Sequence, residues 1–130
     1  MQRCTLICLA GVIGLGLMMN ANQAAPQTEG KLLRHVVMFK FKEDATPSQV
    51  DEIVKAFGEL PTKIKEIHSY EWGTNNSPEG LNKGLTHCFL VTFKTEMDRE
   101  AYLPHAEHQA FVAKLKPILD DVAVIDYWAQ

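Results

Sequence analysis

Cysteine is scarce in this chain of 130 residues: it has three, and two of them, Cys4 and Cys8, fall within the first ten positions. Beyond residue 25 only Cys88 is left, so an internal disulfide cannot form there, and no Cys-x-x-Cys pair or zinc-finger spacing occurs. Cys88 is read as a small buried hydrophobe. Basic charge is short as well. The 13 Lys and Arg are outnumbered by 16 Asp and Glu, for a formal net charge of −3, which excludes the basic face of a nucleic-acid binder. A long apolar run is also missing. The stretch Leu6–Met19 falls short of the roughly 20 residues that a membrane-spanning helix needs. No internal repeat is present.

What that short run does fit is a secretory signal. Arg3 supplies a positive start, Leu6–Met19 the apolar segment, and Ala21, Ala24 and Ala25 small residues for cleavage. The expectation is a signal peptide at 1–25, a linker at 26–31 and one domain at 32–129, exported to the periplasm or secreted, with no stable membrane insertion after cleavage. The first 25 residues contain Arg3 and no acidic side chain, so their removal takes the formal charge from −3 to −4.

The rest of the chain is organised around Gly84–Phe111. From Leu85 to Lys94 a period of two puts His87, Phe89, Val91 and Phe93 on one face and Thr86, Cys88, Leu90 and Thr92 on the other. Thr95 and Asp98 then read as a helix-capping pair, for a short helix through Tyr102 that Pro104 interrupts. Pro104 suits the first position of a second helix, whose inward stripe is Phe111, Val112, Leu115, Ile118 and Leu119. His108 lies on that stripe. His105 lies one turn earlier, where the positive end of the helix dipole favours the neutral ring.

An inward histidine is ordinarily a hydrogen-bonded core residue, and a lone Tyr102 would read as a core tyrosine with its hydroxyl at the rim. Tyr102, His105, His108 and His87 together point instead to a site. His105 and His108, three apart, would also supply two ligands to a divalent ion. No third ligand adjoins them, so neither metal nor cofactor is assigned.

Upstream, Lys31–Lys42 alternates as a first strand, with His35, Val37, Phe39 and Phe41 on one face and Val36, Met38, Lys40 and Lys42 on the other. Thr46, Pro47 and Gln49 announce a helix with the stripe Val50, Ile53, Val54, Phe57 and Leu60, which Pro61 is expected to stop. A second strand covers Ile67–Gly73, a turn-rich loop Gly73–Gly84, and a last strand Val122–Trp128, while Pro117 ends the long helix. The order is β-α-β-β-α-β. This is the α+β, ferredoxin-like arrangement: a four-stranded antiparallel sheet with helices on one face. The other face carries Val36, Met38, Cys88 and Leu90, an apolar set that a monomer would leave wet, so two sheets are expected to pack face to face in a homodimer.

The segments RHVVMFKFK, EWGTNNSPEGLNKGLTHCFLVTF, DREAYLPHAEHQAFV and VIDYW, taken in that order, resemble the stress-responsive dimeric α/β-barrel (Dabb) family over about Leu32 to Trp128. The resemblance implies a stress-response protein in which two ferredoxin-like protomers join their sheets into a barrel. One plant member closes a linear polyketide by a cofactor-free aldol condensation. Likeness to it places a catalytic tyrosine on Tyr102 and a catalytic histidine on His108, with His35 and His87 lining the pocket. The pocket set is then His35, Val37, Phe39, His87, Phe89, Val91, His105 and Phe111. In the implied scheme His108 takes a proton from carbon next to a carbonyl, while the Tyr102 hydroxyl hydrogen-bonds the enolate oxygen. Three functions fit the chain: a small-molecule-binding domain with its ligand between sheet and helices, a cofactor-independent lyase or cyclase, and a dimeric module without chemistry.

Overall fold

The computed structural model describes residues 30–130, so the expected signal peptide lies outside the described residues. Alternating side chains make the segment Leu33–Phe41 a strand, β1. The helix α1, Pro47–Lys63, begins with the expected capping box: the Gln49 N–H donates to Thr46 Oγ1 and the Thr46 N–H to Gln49 Oε1. Pro61 does not stop α1. It sits in the last turn, where the missing N–H costs one hydrogen bond, and the buried Ile64 still closes the turn by donating to the Leu60 carbonyl at 2.8 Å.

Strands β2, Ser69–Thr74, and β3, His87–Phe93, follow, separated by the turn-rich loop. A second capping box, Thr95 with Asp98, starts α2 at Glu96–Tyr102. Pro104 does not open the next helix. His105 is instead the N-cap of α3, Ala106–Leu115, accepting the Glu107 N–H on Nδ1 at 3.2 Å as a serine or aspartate oxygen would. Pro117 ends α3 in a 3-10 turn, Lys116–Ile118. Leu119, expected on the helical stripe, is therefore the first residue of β4, Leu119–Trp128, which starts three residues earlier than the periodicity suggested.

The described strands form one sheet in the order β2-β3-β1-β4, every neighbouring pair antiparallel. This is the ferredoxin-like arrangement with its second helix split in two. Helices cover one face. There Leu33, Val37 and Phe39 of β1 and Phe89, Val91 and Phe93 of β3 bury against Ile53, Phe57 and Leu60 of α1 and Phe111 and Leu115 of α3. The centre is aromatic: Phe57 lies 4.6 Å from Phe89, 4.7 Å from Phe111 and 6.1 Å from Phe39, centroid to centroid. Each such ring contributes about 1.5–3 kcal/mol by leaving water.

The opposite face is open. Val36 pairs there with Leu90 and Ile125, and Met38 with Cys88 and Ala123. Ile125 is 55% exposed in the protomer. Cys88 is exposed as well, not buried as expected, because the alternation of β3 turns it away from the helices. Among the described residues no helix is long and apolar enough to cross a membrane.

Candidate functional site

Tyr102 is the last residue of α2 and is fully buried. The capping box at Thr95 starts α2 two residues after β3 ends, which folds the helix back over the strand it has just left. The tyrosine ring meets His108 at 4.3 Å, Phe93 at 5.2 Å and His35 at 5.9 Å. Its hydroxyl has no hydrogen-bond partner among the described residues. Burial raises its pKa well above the ordinary phenol range, with Tyr70 adding to the effect, so the group remains an O–H donor.

His108 sits in the first turn of α3. Its Nδ1–H donates to the Leu103 carbonyl at 2.9 Å, and the Gln109 amide donates to the same oxygen at 2.8 Å. A carbonyl can only accept, so Nδ1 carries the proton and Nε2 keeps its lone pair. Burial lowers the pKa of this ring below 6.5; the Leu103 carbonyl opposes that, while His35 and His105 reinforce it. The imidazole is neutral near pH 7 and able to take a proton.

His35, on β1, is buried with its Nδ1 2.6 Å from Asp126 Oδ1. The other carboxylate oxygen of Asp126 accepts from Arg99 Nη1 at 2.8 Å. Neither Asp126 nor Arg99 stands out in the sequence. The alternation of β4 places Asp126 on the helix-facing side, but only the register of β4 on β1 sets it opposite His35.

The structure thus gathers Tyr102, His108 and His35, while the other candidates serve a helix cap, the far part of the sheet or the packed core. His105 is committed as the cap of α3. His87 pairs across the sheet with Phe39, four residues from His35 along β1, or about 13 Å. There it stacks on Trp72 at 6.3 Å, meets Phe41 edge-on at 5.1 Å and shares a hydrogen bond with Thr86 Oγ1. Burial lowers its pKa, against the pull of Asp51. Val37, Phe39, Phe89, Val91 and Phe111 are packed core in the protomer, Phe111 lying 6.5 Å from the His108 ring. A cleft of about 270 Å³ runs along the open sheet face past Arg34, Glu71 and Tyr127, and one of about 530 Å³ lies between α1 and the 3-10 turn. Neither is lined by Tyr102, His108 or His35. Among the described residues no three His, Cys, Asp or Glu side chains are grouped to hold a metal ion.

A fold with this strand order, carrying a tyrosine and histidine at the junction of two short helices, can be compared with known proteins. The sequence model of the stress responsive A/B barrel domain, Dabb, matches residues 33–129. The chain belongs to the Dabb family. The Dabb match covers all the described strands and helices. One relative is the stress-response A/B barrel domain-containing protein HS1 of Arabidopsis thaliana, 33% identical over 73% of this chain and 87% of its own length. Olivetolic acid cyclase of Cannabis sativa is 25% identical over 73% of this chain and 94% of the cyclase. Among solved structures, a dimeric ferredoxin-like protein of unknown function from Thermobifida fusca superposes with a TM-score of 0.67 at 26% identity, covering 78% of this Dabb chain and 93% of the other.

Proposed function

We propose that this Dabb domain binds a small carbonyl compound between its sheet and helices, at Tyr102 and His108, and that it does so as a homodimer. One observation carries the reading: a buried tyrosine hydroxyl without a partner lies in ring contact with a neutral histidine whose free nitrogen is the acceptor. An unsatisfied buried donor costs about 1–3 kcal/mol, which a ligand oxygen would relieve. The pair is suited to proton abstraction next to a carbonyl, His108 as base and Tyr102 as hydrogen-bond donor to the enolate oxygen. The similarity to olivetolic acid cyclase supports a cofactor-independent lyase or cyclase reaction on a polyketide-like substrate. The dimer is supported by the half-covered apolar face of Val36, Met38, Leu90 and Ile125 and by the dimeric Thermobifida fusca neighbour.

The test is exchange of carbon-bound hydrogen for deuterium in simple ketones, followed by NMR. Exchange above the buffer rate that disappears in His108→Ala supports the reading. A rate equal to buffer across the panel, with no ketone bound, rejects it.

A second reading, a dimeric module without chemistry, is favoured by one feature. Phe39, Phe57, Phe89 and Phe111 fill the interior where a larger substrate would lie. Export belongs to the same proposal and is supported by Arg3 and the apolar run Leu6–Met19. Mass spectrometry of the exported protein should give an N-terminus near Ala25 or Pro26; an intact Met1 would reject cleavage.

A further inference from the structure

We propose that Arg99 and Asp126 are positioning residues that set the tautomer of His35, so that its Nε2 serves as a second acceptor for a ligand held at Tyr102 and His108. The inference rests on that reading of the site and adds a ligand class: a carbonyl compound with a hydroxyl on a neighbouring carbon, such as a β-hydroxy ketone. The chain of contacts is continuous. Arg99 Nη1 donates to Asp126 Oδ2 at 2.8 Å, and Asp126 Oδ1 lies 2.6 Å from His35 Nδ1. An ionised carboxylate has no proton to give, so His35 Nδ1 is the donor, and in the neutral ring Nε2 holds the lone pair. His35 is 6% exposed, and its ring lies edge-on to Tyr102.

Three structural elements bring the relay together. His35 and Asp126 are direct cross-strand partners on β1 and β4. Arg99 lies three residues before Tyr102 on α2, on the same side of the helix. The ion pair therefore ties the helix that carries the hydroxyl donor to the strand that orients the imidazole. Arg99 also decides which oxygen of Asp126 is left for His35, because a guanidinium can only donate.

That last point gives a test independent of turnover. Long-range proton–nitrogen NMR of the ring should show His35 protonated at Nδ1 in the unsubstituted protein; protonation at Nε2 would overturn the proposal at once. In Asp126→Asn, Arg99 claims the amide oxygen, which leaves the amide N–H groups facing His35 Nδ1 and moves the ring proton to Nε2. In the double variant Arg99→Leu with Asp126→Asn the amide is free to turn, and the proton returns to Nδ1. A single variant that keeps the Nδ1 proton, or a double variant that stays flipped, rejects Arg99 as the orienting group.

The ligand class is read separately, by titrating a β-hydroxy ketone and the same ketone without its hydroxyl. The unsubstituted protein should bind the first about tenfold more tightly than the second, the worth of one hydrogen bond. Equal affinity for both removes the hydroxyl assignment. Failure of the unsubstituted protein to bind either ketone counts against the proposed function, whereas the tautomer result decides the relay.

Discussion

The ring of His108 lies 4.3 Å from that of Tyr102, tilted by 36°, yet the tyrosine hydroxyl bonds to no described residue. The two residues belong to different helices and are brought together by the turn at Leu103–His105. Its Leu103 carbonyl accepts the His108 Nδ1–H, and its His105 caps α3. The turn that joins the helices thus also orients the base.

Removing only the hydroxyl, in Tyr102→Phe, should leave the fold as stable or raise its stability by about 1 kcal/mol, since an unsatisfied buried polar group is lost. Ketone binding should weaken in the same variant. Urea unfolding and ligand titration on one preparation would show both; a loss of more than about 2 kcal/mol would mean that the hydroxyl has a partner in the folded protein.

Acid should act through His108. Its folded pKa is lowered by burial, so the unfolded chain, titrating at about 6.5, takes up the proton first. The stability linked to this ring is therefore fully present above pH 6.5 and fades as the pH falls through the lower folded value. His87, also lowered by burial, adds a contribution of the same sign. Urea midpoints at pH 7.5 and 5.5 should differ less in His108→Gln than in the unsubstituted protein; an equal or larger difference would contradict the assignment.

Asp at Val36 or Met38 should give monomers in sedimentation, because either carboxylate would be buried without a partner between two sheets. Cys88 offers a second readout. It is exposed in the protomer and on the same face, so alkylation should be slow in the dimer and fast in the Val36→Asp variant. Unchanged dimers, or equally fast alkylation, would reject this face as the interface.

Phe89→Ala should cost about 3–5 kcal/mol, as for other buried aromatic truncations. Phe89 is fully buried against Phe39 and Phe57, so the substitution opens the centre of the core. If aromatic filling limits ligand size, the variant should bind bulkier ketones than the unsubstituted protein does. Thermal unfolding and titration with an aryl ketone would check the two effects.

Much of the fold was legible in the residue order. Strand alternation assigned the faces of β1 and β3, and the Thr46–Gln49 and Thr95–Asp98 pairs located two helix starts, because these are local properties with fixed periods. Proline was less informative. Pro61 sits inside α1 and Pro104 lies ahead of the α3 cap, since what a proline interrupts depends on which backbone bonds the neighbouring turns still make. The pairing of Tyr102 with His108 was suggested by family resemblance. The commitment of His105 as a cap was not visible beforehand.

The sequence by itself determined the order of elements, the two-faced sheet and the family, because periodicity and capping act over a few residues. Only the tertiary structure decided that Asp126 meets His35, that Arg99 holds Asp126, and that His87 stands about 13 Å along the sheet from His35. Those relations depend on strand register and helix docking. Contacts between residues up to 91 positions apart set them, and no local pattern encodes such contacts.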